Sequence, residues 1–282
     1  MKLQTQNGGF SWFEKMPESR YITQEVLLNL ARLNKMTKEK RSVKEDAMVK
    51  KALNYLDLMI AKDFFELKKY NKDYYKQNVI NNLHLFYLHT RSEYKDIPIA
   101  ETAKPAVDFY TAQSEKYWTS FTLYGRAMMA TVAHRNGKDL VAADILKSLK
   151  ENALKTDEMG MYWAKNVSGW WWHERPIAVQ TAIIEAFTEI SKNNAEADEM
   201  KIWLLKQKQT QRWDTPISTV DAVYALLNYG TDWLAESGET TIKLGNTTLN
   251  PQNKEAGTAY FKEEIAIQTC IVTGKQIGRA HV

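Results

Sequence analysis

Three segments far apart in the chain repeat one another. Residues 23–30 (Thr23-Gln24-Glu25-Val26-Leu27-Leu28-Asn29-Leu30), 179–186 and 219–226 align position by position, from Thr23, Val179 and Thr219 onward. Each follows an aromatic turn: Gly8-Gly9-Phe10-Ser11-Trp12-Phe13, Ser168-Gly169-Trp170-Trp171-Trp172-His173, and Arg212-Trp213-Asp214-Thr215-Pro216. The second and third copies lie 219 − 179 = 40 residues apart, the length of two helices and their loops. A helix pair of that size cannot bury its apolar stripe alone, so it must stack on copies of itself. The expected fold is therefore all-α: helix-pair repeats forming a solenoid or, if the row closes, an α/α toroid.

The rest of the chain agrees with a helical body. Six prolines and twelve glycines in 282 residues leave long uninterrupted stretches with apolar residues at three- and four-residue spacing. Ser42 followed by Glu45 is a capping-box signature, opening a run of Val43, Ala47, Met48, Ala52, Leu53, Leu56, Met59 and Ile60. Further helices are expected over 21–36, 73–91, 101–115, 117–135, 139–154, 176–192, 195–208 and 217–229. Asn136-Gly137 and Tyr229-Gly230 are expected to act as C-terminal stops. Phe64, Phe65, Tyr74, Tyr75, Phe86 and Tyr87 are expected in the core. After Gly230 the pattern changes: Thr240–Leu244 and Thr247–Leu249 flank Gly245-Asn246, a two-residue hairpin signal.

Several separate blocks carry a resemblance as well as a period. Asn7-Gly8-Gly9-Phe10-Ser11-Trp12-Phe13, Tyr21-Ile22-Thr23 opening a helix, Met161-Tyr162-Trp163, the Trp170–Pro176 run, and Trp213 with Ser218–Leu227 together resemble the bacterial alpha-2-macroglobulin family. The match is to its thioester-type (complement-like) domain, in order and approximate spacing, over roughly residues 3–230. The resemblance implies a partial α/α toroid at 1–230 that lacks the first helices, and the start of a β-sandwich at 231–261. Residues 262–282 fit no continuation and are expected to be a non-native or frame-shifted tail. The family's reactive device, a Gly-Cys-Gly-Glu-Gln segment, is missing from this sequence; by comparison it would lie upstream of Gln4. The one cysteine, Cys270, lies outside the repeats, so these 282 residues cannot form the thioester themselves.

Composition and motifs exclude several chemistries. Lys+Arg 38 against Asp+Glu 34 gives a net charge of only +4, spread along the chain, which argues against a nucleic-acid partner. No apolar run approaches the length of a membrane span, and no targeting segment opens the sequence. His173-Glu174-Arg175-Pro176-Ile177 starts like the zinc motif H-E-x-x-H but ends on Ile177, with Pro176 breaking the helix. His84 and His89, at i, i+5, point away from each other on a helix, so no metal site is expected. Gly9-Phe10-Ser11-Trp12-Phe13 fails the nucleophile-elbow pattern, and Gly274-Lys275 lacks the upstream glycine of a phosphate loop. No adjacent aspartates exist to hold magnesium and pyrophosphate. No catalytic residue and no cofactor is expected.

The aromatic loops remain. Trp163, Trp170, Trp171, Trp172, His173, Glu174 and Trp213 form the candidate surface for a neighbouring domain or a ligand, because three consecutive tryptophans cannot all point inward. The resemblance implies a non-catalytic domain of a periplasmic or cell-surface protease inhibitor. Its partners would be the neighbouring domains of the same protein, and its targets would be proteases. The alternative is a toroidal glycan-binding or polysaccharide-processing protein. That reading uses Trp170, Trp172, Trp213 and Glu174, with two carboxylates drawn from Glu174, Glu185, Glu189, Asp214 and Asp221.

Overall fold

A computed structural model describes residues 2–167, 175–210, 213, 215–232, 242–244 and 247–249. The chain divides into two compact units, Met1–Thr231 and Asp232–Val282. In the first, a short hairpin of β1 (Phe10–Ser11) and β2 (Glu18–Ser19) leads into α1 (Arg20–Thr37), α2 (Val43–Tyr70), α3 (Asn82–Ser92) and α4 (Lys104–Tyr117). Then come α5 (Leu123–Arg135), α6 (Asp139–Glu151), a second hairpin of β3 (Leu154–Thr156) and β4 (Gly160–Tyr162), α7 (Pro176–Ser191), α8 (Asn194–Thr210) and α9 (Pro216–Asn228). The chain is mostly helical, and among the described residues no helix is long and apolar enough to cross a membrane. In the second unit, β5 (Ile242–Leu244) pairs antiparallel with β6 (Thr247–Leu249), Leu244 opposite Thr247, as the hairpin signal predicts; Gly245-Asn246 lies outside the described residues.

Local chemistry explains where the helices begin. The Ser42 side chain accepts from Glu45 N at 3.2 Å, Thr122 caps α5 through Gly125 N, and Thr215 caps α9 through Ser218 N. Asn81 caps α3 in a box whose fourth residue is His84: Asn81 accepts from His84 N, and His84 Nδ1 accepts from Asn81 N. Pro176 and Pro216 open α7 and α9, where a missing N–H costs nothing. Gly137 and Gly230 follow the ends of α5 and α9 with φ of +74° and +70°.

Three expectations from the sequence are corrected. The stretch 73–81 is not helical, because Asn71 and Asn78 side chains accept from Asp73 N and Ile80 N and give the backbone turns instead. The 117–135 segment breaks at a 3-10 turn, Trp118–Ser120, before Thr122 starts α5. Phe65 and Tyr75 are exposed and not in the core, whereas Phe86 and Tyr87 are buried.

The packing is an alternation. The odd-numbered helices contact one another in chain order, α1 on α3, α3 on α5, α5 on α7 and α7 on α9. Each even-numbered helix packs against the odd helix that precedes it. Two apolar cores result. Leu27, Ala31, Leu53, Leu56, Tyr87 and Tyr110 sit in one, and Met129, Ile145, Ile183, Phe187, Leu204 and Trp203 sit in the other. Each buried Leu, Ile, Met or Phe among these contributes about 1.5–3 kcal/mol by burial. Helix α7 touches α5, α6, α8 and α9, which is why Ile177 and the run Val179–Phe187 are buried on every side, polar Gln180, Thr181 and Glu185 included.

Gly160 shows how tightly the second hairpin is set. Its φ is +66°, and a Cβ there would collide with the carbonyl oxygen of Glu199 on α8. Gly160→Ala is therefore expected to cost about 2 kcal/mol or more. A two-state denaturation curve checks this; an unchanged midpoint would mean that the hairpin does not lie against α8.

Candidate functional site

Where the odd helices meet, the interior is charged. Arg32 of α1 is buried and its guanidinium reaches Asp221 on α9 at 2.5 Å and Glu185 on α7 at 3.2 Å, bridging 189 residues of chain. The ring of Tyr224, one turn on from Asp221, lies under the same guanidinium at 5.1 Å. Arg135 on α5 forms a second node, bonding Glu93 at 2.7 Å, Glu185 at 2.8 Å and Glu189 at 2.6 Å. Lys35 of α1 joins the same acids, 2.8 Å from Glu93 and 3.6 Å from Glu189. Glu25, two turns before Arg32 on the same face of α1, accepts from the Tyr21 hydroxyl and, at 3.4 Å, from Asn29 Nδ2.

Acids outnumber bases in this interior: Glu25, Glu93, Glu185, Glu189 and Asp221 face Arg32, Lys35 and Arg135. The imbalance sorts the carboxylates by protonation. Burial pushes Glu185 up, but Arg32 and Arg135 on either side outweigh it and hold it well below the usual carboxylate range. Burial dominates at Asp221, whose pKa is raised in spite of Arg32. Glu25 is raised to about 7 by burial and by the nearby Asp221 charge, against the opposing effects of Tyr21, Arg32 and Asn29. His89 of α3 sits 3.9 Å from Glu185, yet burial and the three surrounding cations depress it to about 3, so it is neutral.

Glu93, Glu185 and Glu189 bring oxygens within 4.8 Å of one another, the convergence a cation site needs. The positive charge among them is supplied by the Arg135 guanidinium and the Lys35 ammonium, which saturate those oxygens. Glu185 and Asp221 share Arg32 in the same way. The arrangement fixes five helices to one another.

The loop aromatics divide differently from expectation. Trp163 is in the core, with its Nε1 donating to Leu149 O at 2.8 Å. Its remaining edge lines a cavity of about 530 Å³ shared with Phe121, Tyr124, Asn166, Val167 and Val179. It is a packing residue that touches a cavity, and it offers no exposed indole face. Trp213 is half-buried against the same core, its Nε1 donating to Leu204 O at 3.4 Å and its ring 5.2 Å from Lys208 Nζ. Trp170, Trp171, Trp172, His173 and Glu174 lie outside the described residues, as do Asp214 and Cys270.

Three of the carboxylates singled out from the sequence, Glu185, Glu189 and Asp221, thus come together, with partners the sequence reading missed: Arg32, Lys35, Arg135, Glu25, Glu93 and His89. The repeat alignment held a signal for some of them. It sets Glu25, Thr181 and Asp221 at one position and Asn29, Glu185 and Ala225 one turn later. Acids in the middle of apolar repeat helices need a buried cation. No protein-family model and no curated protein sequence matches this chain.

Proposed function

We propose that the chain is a non-catalytic helical toroid domain of an alpha-2-macroglobulin-like protein that traps proteases outside the cytoplasm. The observation that supports this most is the row of odd helices whose ends are tied together. Arg32 on α1 is held between Glu185 on α7 and Asp221 on α9, and Asp221 lies in the Ser218–Leu227 block that carries part of the family resemblance. A row with joined ends and even helices outside it is the plan of an α/α toroid. Its interior carboxylates are held by Arg32, Lys35 and Arg135 or, at Glu25, by the Tyr21 hydroxyl and Asn29. Such a domain supplies rigid bulk and contact surface to a larger assembly.

The test uses a protein that carries this chain within its natural neighbours. After cleavage by a broad-specificity protease, the trapped enzyme is expected to keep its activity on a small chromogenic peptide and to lose at least about tenfold on a large protein substrate. Equal activity on both, with no change in sedimentation after cleavage, would end the inhibitor reading.

A further inference from the structure

Helix α9 has the composition of a buried helix and half of it is exposed. Its one charged residue, Asp221, is buried beside Arg32, and the outward face carries Pro216, Thr219, Val220, Val223 and Leu227. Val220, Val223 and Leu227, spaced as one stripe, are 51%, 40% and 43% exposed. The repeat identifies what should lie on that stripe. Aligned residue by residue, these three positions correspond to Gln180, Ile183 and Phe187 on α7 and to Gln24, Leu27 and Ala31 on α1. None of those is more than 8% exposed.

The coverings are alike in the two sibling helices. On α7, Ile183 and Phe187 share a core with Ala197, Met200 and Leu204 of α8, and Gln180 Nε2 donates to Met200 O at 3.3 Å. On α1, Leu27 and Ala31 share a core with Val49, Ala52, Leu53 and Leu56 of α2. In each case the covering helix contributes apolar residues at i, i+3 and i+7, Ala197, Met200 and Leu204 on α8 and Val49, Ala52 and Leu56 on α2, while Gln24 Nε2 donates to Leu83 O of α3 at 3.0 Å. Among the described residues α9 packs on α7 and touches α8, and no following helix takes that place on it.

We infer that the Val220–Val223–Leu227 face of α9 is a docking surface for one amphipathic helix from outside these 282 residues. That helix would carry its apolar stripe at i, i+3 and i+7 and lie where α2 and α8 lie on α1 and α7. The stripe offers no charge to a partner, so the occupant recognises it by apolar fit, as helix-in-groove complexes do. This surface follows from the repeat and the exposure alone and stands apart from protease trapping.

The probe is a fluorescein-labelled synthetic peptide copying Asn194–Thr210, with a scrambled peptide of the same composition as control. Anisotropy titration of the full chain is expected to show saturable binding about tenfold tighter than the scramble. Val223→Asp is expected to abolish this preference while moving the Tm by no more than about 2 °C, whereas Ile183→Asp at the equivalent α7 position collapses the fold. Equal binding of both peptides would overturn the inference. So would a loss of more than about 8 °C in Val223→Asp, which would mean that the face is already covered from within the chain. A concentration-dependent dimer that Val223→Asp dissolves would assign the face to a second copy and overturn it too.

Discussion

Replacing Arg32 by alanine is expected to lower stability by about 3–5 kcal/mol, the usual consequence of leaving buried charges without their partner. For a helical unit of this size that is a fall in Tm of roughly 10 °C. Arg32 is the cation that ties α1 to both α7 and α9, and its loss strands Asp221, which has no other base within ion-pair distance among the described residues. Glu185 keeps Arg135 at 2.8 Å and suffers less. Asp221, already raised by burial, must then take up a proton to stay inside. A raised carboxyl stabilises the fold below its unfolded value and loses that contribution as pH rises. Arg32→Ala should therefore be less destabilised at pH 5 than at pH 8. Adding Asp221→Asn should recover part of the loss at pH 8. Thermal unfolding of Arg32→Ala within about 2 °C of the parent at both pH values would show that water reaches this cluster.

The second large effect concerns the pH profile, in which Glu25 and His89 oppose each other. Glu25 is raised from 4.5 to about 7, so between those values the folded state binds more protons than the unfolded, and stability falls as pH rises. From pH 5 to pH 8 the loss through Glu25 is about 2.5 kcal/mol. His89 is depressed from 6.5 to about 3, so the unfolded state binds more protons between those values, and stability falls as pH drops. From pH 8 to pH 5 that loss is about 2 kcal/mol. The two slopes nearly cancel in the parent. Glu25→Gln should unmask a rise of about 2 kcal/mol from pH 5 to pH 8, and it should be the more stable protein at pH 8. Its amide also offers a donor to Asn29 Oδ1, which has no partner in the parent. His89→Gln should tilt the other way by a similar amount. Chemical denaturation at the two pH values measures both slopes, and variants whose slopes match the parent would contradict the burial of these groups.

The apolar spacing around the repeat blocks placed α1, α7 and α9 to within a residue or so, because each carries a full stripe and a capping residue or proline at its start. The short hairpins β1–β2 and β3–β4 were not legible. Pairing over two or three residues leaves no alternation to detect, and Gly160 reveals its role only through its approach to Glu199. Over 73–81 the apolar periodicity of a helix is present but the backbone turns instead, because Asn71 and Asn78 side chains compete for backbone N–H groups.

That the chain is helical, that its helices come in pairs about 40 residues long, and that a β-hairpin follows Gly230 are all written in the order of its residues. These are properties of local spacing and turn chemistry, and they need no knowledge of what touches what. That Arg32 meets Asp221 across 189 residues, that His89 is neutral and Glu25 raised, and that Trp163 is a core residue follow from the folded packing instead. Charge pairing and burial depend on distances in space, which a one-dimensional pattern does not carry. The same reason separates α9 from its siblings: the repeat gives α1, α7 and α9 one pattern, and only their surroundings show that the third has a bare face.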